Sequence, residues 1–158
     1  MNNYFSNMVA AEDMRRLSYI PTVPEFVEWI GREFADLPAL SDLAHTLTYG
    51  EMCERIARRR AFIEGLGLQK GAHIAVLDRN SQDAIELFLA ITSAGYVAMM
   101  FPTSLPEMAI IGCCMKFDIA ALFVRDEFAP LCTKLQGVKV VPASSIADTP
   151  APVAVVDK

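Results

Sequence analysis

Charge is scarce in this chain. Only 21% of its 158 residues are Asp, Glu, Lys or Arg, a little under the roughly 25% usual in soluble domains. What charge there is leans acidic: 14 basic against 19 acidic side chains leave a net −5. No basic field is available to hold a phosphodiester backbone, which argues against a nucleic-acid binder. Histidine is nearly absent, with His45 and His73 its two instances. The four cysteines, Cys53, Cys113, Cys114 and Cys132, form no Cys-x-x-Cys pair. That spacing argues against a zinc site. Cys113 and Cys114 are neighbours on one predicted helix, a poor geometry for a disulfide. We read all four as reduced, largely buried thiols in a cytoplasmic protein. The N-terminal Met1-Asn2-Asn3-Tyr4 shows no basic stretch leading into an apolar one, so no signal peptide is visible.

Apolar residues fill the space that charge leaves. They make up 53% of the chain, and the mean hydropathy is +0.31. Such a composition excludes intrinsic disorder. The length suits one domain, able to bury roughly 70% of its unfolded surface. Even so, the chain is greasier than a self-contained domain of this size requires. The longest uncharged run, Leu87–Pro106, contains Thr92, Ser93, Gly95, Pro102, Thr103 and Ser104. Gly95 splits it into a helix-like and a strand-like half, so it reads as core and not as a membrane span.

Along the chain, residues 1–21 read as a polar arm, 22–141 as one α/β domain and 142–158 as an Ala/Pro/Ser-rich linker. Thr22-Val23-Pro24-Glu25 opens a helix with a capping pattern, and Phe26, Ile30 and Phe34 form its stripe. Residues 39–42 and 47–49 are predicted to pair as a small hairpin. Thr48-Tyr49-Gly50-Glu51 caps a second helix reaching about Ile63, with Met52, Ile56 and Ile63 inward and Arg58-Arg59-Arg60 as a solvated face. From His73 onward, strands (73–77, 96–101, 119–124, 138–141) alternate with helices. These helices are expected after Ser81 (apolar on most faces, hence buried), after Ser104 and after Asp126. Alternation with strands apolar on both faces predicts an α/β fold with a mostly parallel sheet of about four strands flanked by helices.

Motifs for chemistry are few. Gly65-Leu66-Gly67-Leu68-Gln69-Lys70-Gly71 looks like a phosphate loop, but it follows a helix and precedes a strand, the reverse of the order such a loop needs. Asp78-Arg79-Asn80-Ser81 lies at the carboxyl end of a strand, where open α/β sheets bind ligands. An Asx turn with a helix cap explains it as well. Glu25, Glu51 and Glu107 are assigned to capping. No Ser/His/Asp or Cys/His set is evident.

In order along the chain, Leu47-Thr48-Tyr49-Gly50-Glu51-Met52, Gly67-Leu68-Gln69-Lys70-Gly71-Ala72-His73-Ile74-Ala75-Val76, Asn80-Ser81, Phe88-Leu89-Ala90 and Ser93-Ala94-Gly95-Tyr96-Val97-Ala98 with Pro102 resemble the N-terminal motifs of the AMP-forming adenylate-forming enzymes. This superfamily includes acyl- and aryl-CoA synthetases and peptide-synthetase adenylation domains. The resemblance covers about Pro21 to Val141. Ala72 and Ser93 depart from the family's usual Asp and Lys, and Met99-Met100-Phe101 is greasier than usual.

The resemblance implies a Rossmann-like subdomain of an AMP-forming acyl-CoA synthetase-like ligase. Its parent would turn a carboxylate and ATP into an acyl-adenylate and then an acyl-CoA, with ATP, Mg and CoA as its cofactors. A long-chain fatty acid is the acyl group that the segment Met99–Phe101 suggests. The family's Ser/Thr/Gly-rich phosphate loop, its aromatic nucleotide motif, its ribose-binding Asp and its C-terminal-domain Lys all come later than this region. None is found in the 158 residues. The resemblance therefore places no catalytic, cofactor-binding or metal-binding residue on this chain, and predicts a catalytically inactive scaffold. Its expected partners are the remaining subdomains of the parent, with self-association through exposed apolar surface. A stand-alone, non-catalytic α/β interaction module is the alternative.

Overall fold

In a computed structural model the described residues are 21–42 and 45–146. The N-terminal arm, apart from Pro21, and the tail from 147 onward lie outside them. Helix α1 (Val23–Glu33) is followed by the antiparallel hairpin β1 (Pro38–Ser41) and β2 (Thr46–Thr48), then by α2 (Tyr49–Gly65). Next come β3 (His73–Leu77), α3 (Gln82–Ser93), β4 (Val97–Phe101), α4 (Glu107–Lys116), β5 (Ile119–Val124) and β6 (Lys139–Pro142). The last four strands form one wholly parallel sheet in the order β4-β3-β5-β6. The predicted α/β sheet and hairpin are both present.

The helix starts follow from local chemistry. The Thr22 and Thr48 N–H groups donate to Glu25 Oε2 (2.8 Å) and Glu51 Oε2 (2.9 Å), and Thr48 Oγ1 accepts from Glu51 N–H at 3.2 Å. These bonds satisfy donors that the first helical turn leaves open. In α1 the buried residues are Val27 and Ile30, with Phe26 and Phe34 half-buried beside them. In α2 the buried residues are Met52, Ile56 and Ile63, as the periodicity predicts.

Strands β3 and β5 supply both halves of the core. Ile74 and Val76 of β3, with Ala121 and Phe123 of β5, face α1, α2 and α3. Ala75 and Leu77, with Leu122 and Val124, face α4 and the segment after β5. A strand buried on both sides must read as a continuous apolar run, and these two do.

Four expectations are corrected. Helix α4 begins at Glu107 with Pro106 in the cap position, not at Ser104, and Glu107 pairs with Lys134 Nζ at 3.2 Å instead of capping. The helix expected after Asp126 is a 3-10 segment, Asp126–Cys132. Pro130 within it offers no N–H for an α-helical ladder. Helix α3 is not buried all round: Ile85 and Phe88 are 45% and 41% exposed, while Glu86 is completely buried. The start of the supposed linker is packed, because 143–146 form a 3-10 turn whose Ile146 joins the first core.

Two turns make the same demand, a positive φ, on different residues. Gly95 (φ +79°) lets the chain reverse from α3 into β4, while Lys70 Nζ donates to the Ala94 carbonyl at 2.6 Å. Asp118 (φ +49°) is the one described non-glycine with positive φ. Gly95→Ala should lower unfolding free energy by about 1–2 kcal/mol, and Asp118→Gly should raise it by about 0.5–1 kcal/mol, in denaturant titrations.

Candidate functional site

The strand order sets the candidate site. From β3 the chain crosses to β4 on one side, then returns past β3 to β5 on the other. Ligands bind at such switch points, outside the carboxyl ends of the strands. The β3 and β5 ends there present Asp78 and Arg125, and the two pair at 3.1 Å with Asp78 only 2% exposed. Asp78 also accepts from Arg79 N–H (2.6 Å) and Ser81 Oγ (3.1 Å), while Ser81 Oγ accepts from Ala84 N–H at 3.1 Å. Ser81 is thus the helix cap that the sequence offers, while Asp78 bonds the adjacent Arg79 N–H and the Ser81 hydroxyl and not the N–H two residues on that an Asx turn uses. Arg79 closes a forked pair with Glu127 at 2.6 and 3.0 Å.

Beside it lies a second polar group, between α2 and α3. Arg55 Nε donates to Glu86 Oε2 at 3.0 Å and its Nη2 to Asp83 Oδ1 at 3.0 Å. Arg59 Nε donates to Glu86 Oε2 at 2.9 Å, and Arg59 Nη2 also bonds Asp83 Oδ1. The Glu86 side chain is wholly buried and that of Arg59 is 11% exposed. Burial raises the Glu86 pKa above its ordinary value, and the Arg59 and Arg55 charges oppose that rise. The solvated face expected of Arg58-Arg59-Arg60 is therefore split. Arg59 points inward, while Arg58 and Arg60 reach outward to Glu54 (3.9 Å) and Glu64 (3.2 Å).

The two groups line an open cleft of about 600 Å³, whose walls include Arg55, Arg58, Arg59, Asp83, Arg125 and Ser144. A second cleft, of about 490 Å³, is apolar and includes Leu40, Ile85, Phe88 and Met100. The glycine-rich segment Gly65–Gly71 is elsewhere, in the turn from α2 to β3, where Gly71 N–H donates to the Gly95 carbonyl at 2.9 Å. It cradles nothing at the site.

Chemically the site is a neutralised frame. Asp78, Asp83, Glu86 and Glu127 each hold an arginine. Among the described residues no group of three His, Cys, Asp or Glu is placed to hold a metal ion. Burial pushes the Cys53 and Cys114 thiols up to about 11, so neither is a thiolate near neutral pH. The residues that sequence reasoning missed are Arg55, Arg59, Asp83, Glu86 and Arg125. A signal existed for the first four: an arginine pair four apart on one helix and a carboxylate pair three apart on the next.

Comparison with known proteins adds the following. The family model described as "AMP-binding enzyme" matches residues 27–157. The tenellin synthetase of Beauveria bassiana is 37% identical over 86 residues, 54% of this chain and 2% of that synthetase. An artificially fused adenylation–PCP di-domain of a Klebsiella oxytoca NRPS (NpsA-ThdA) superposes with TM-score 0.74 at 22% identity, over 83% of this chain and 24% of its own. VinN, in complex with 3-methylaspartate, gives TM-score 0.75 at 19% identity, over 81% of this chain and 36% of its own. The chain thus spans a small share of the relatives it matches. No helix among the described residues is long and apolar enough to cross a membrane.

Arg59→Met should cost about 3 kcal/mol, because it strips a buried carboxylate of a partner, and adding Glu86→Leu should recover most of that loss. The pH dependence has a definite sign. Because Glu86 is raised from 4.5, the native state holds its proton longer than the unfolded chain, and this group's contribution to stability falls as pH rises through that window. Glu86→Gln should flatten that fall in unfolding titrations run upward from pH 4.5.

Proposed function

Because this chain belongs to the AMP-binding enzyme family, a family of adenylate-forming ligases, we propose that it serves as the N-terminal subdomain of an AMP-forming acid–thiol ligase. The observation that carries this reading is the family match over residues 27–157, on a four-stranded sheet that superposes on the Klebsiella oxytoca adenylation–PCP di-domain. In such a parent a carboxylate would displace pyrophosphate from magnesium-bound ATP to give the acyl-adenylate, whose AMP is the group displaced in the next step. A thiol, of CoA or of a carrier domain, then accepts the acyl group.

Within that parent the segment acts as scaffold. On this reading ATP, magnesium and CoA are held by other parts of the parent: what supports it is that Asp78 at the strand end is already paired with Arg125, and that the glycine-rich turn lies away from any strand-to-helix junction. The apolar run Met99–Phe101 that suggests a fatty acyl group is strand β4, with Phe101 in the core and Met99 packed against it. Four free thiols suit the reducing cytoplasm.

Two measurements test this. ATP–pyrophosphate exchange with the 158-residue chain and a panel of carboxylic acids should stay at the blank, and turnover would overturn the scaffold reading. Reading the transcript past the Lys158 codon should reveal a Ser/Thr/Gly-rich loop ending in Pro-Lys-Gly. A stop codon there would instead support a stand-alone interaction module.

A further inference from the structure

The two edges of the parallel sheet are built differently. On β6 the outer edge carries Lys139 and Pro142, residues that discourage further pairing. Strand β4, Val97-Ala98-Met99-Met100-Phe101, carries neither charge nor proline, and among the described residues nothing pairs with its outer side. Val97 N–H donates inward to the Ala72 carbonyl at 3.1 Å. By strand alternation Ala98 and Met100 then turn their N–H and C=O groups outward. On the face that carries Met100, α3 leaves Ile85 and Phe88 exposed at 45% and 41%, and all three line the apolar cleft.

We propose that this edge pairs with a second copy of the chain, β4 against β4, across a twofold axis at Met99. Such pairing is antiparallel. It sets Ala98 of each copy opposite Met100 of the other, so that each exchanges two main-chain hydrogen bonds with its opposite. It brings no like charges together, because β4 has none. A twofold axis perpendicular to the sheet keeps equivalent faces on the same side. The Ile85–Phe88 stripe of one α3 then meets its own copy, which is the self-complementarity that an isologous interface requires. The negative charge on α3 does not oppose this, since Asp83 and Glu86 are held by Arg55 and Arg59 on the α2 side. Helix α4 offers a competing apolar surface, with Met108 72% and Met115 79% exposed. It presents no open backbone row and so lacks the element that would set register. The inference rests on the sheet edge and is independent of the ligase reading.

Size-exclusion chromatography with light scattering, over a concentration series of the 158-residue chain, provides the test. The expected result is a concentration-dependent dimer that Met100→Lys weakens at least tenfold and Met115→Lys leaves unchanged. Hydrogen exchange on the unsubstituted chain gives a readout free of any folding defect in the variants: the Ala98 and Met100 amides should slow as the dimer forms. A monomer at every concentration would overturn the proposal. So would open-ended oligomers, a dimer sensitive to Met115→Lys and not to Met100→Lys, or Ala98 and Met100 amides indifferent to concentration.

Discussion

The pairing of β3 with β5 is the constraint on which the rest of this molecule depends. Residues 74–77 and 121–124 are all buried, on both faces of the sheet. A strand pair with no solvent face needs cover on each side, and the order of elements then follows. Helices α1, α2 and α3 close one face, and α4 with the 3-10 segment closes the other. The same pairing brings the ends of β3 and β5 together, so that Asp78 meets Arg125 at the point where the chain changes direction across the sheet.

A second dependence runs through Glu86. A carboxylate buried completely is costly unless it is paired and hydrogen-bonded. Here two arginines on α2 supply both the charge and the bonds. The group ties α2 to α3 in one rotational setting, because Arg55 and Arg59 are one turn apart and both reach the Asp83–Glu86 pair. That setting turns Ile85 and Phe88 away from the core and toward the open side of the sheet. Buried charge and exposed apolar surface on α3 are thus two faces of one geometric choice. Part of the chain's surplus hydropathy resides there, and part on α4 at Met108 and Met115.

Most of the scaffold was legible in the sequence. Capping patterns at Thr22 and Thr48, the Met52–Ile56–Ile63 stripe and the runs at 73–77 and 119–124 are short-range signals, and short-range physics produces them. Apart from the segment after Asp126, where Pro130 stops an α-helix locally, expectations failed where a distant partner overrode a local pattern. Glu107 has the spacing of a capping residue but bonds Lys134 instead. Arg59 belongs to a charge run that looks solvated, yet it turns inward because Glu86 is there to receive it. Of the candidate site the strand-end motif at 78–81 and the spacing of Arg55–Arg59 and Asp83–Glu86 stood in the sequence, but Arg125 enters from a strand nearly fifty residues after Asp78, and no local pattern announces it.

By itself, then, the sequence determined the α/β class, the number and position of the strands, the starts of α1, α2 and α3, and the family to which the chain belongs. These depend on residue spacings of two to four and on motifs in a set order. Only the tertiary structure decided the strand order, the side of the sheet each helix covers, the inward turn of Arg59 and Glu86, and which sheet edge stays open. These depend on contacts between residues far apart in the chain, and the periodicity of a helix or strand says which residues share a face without saying what that face will meet.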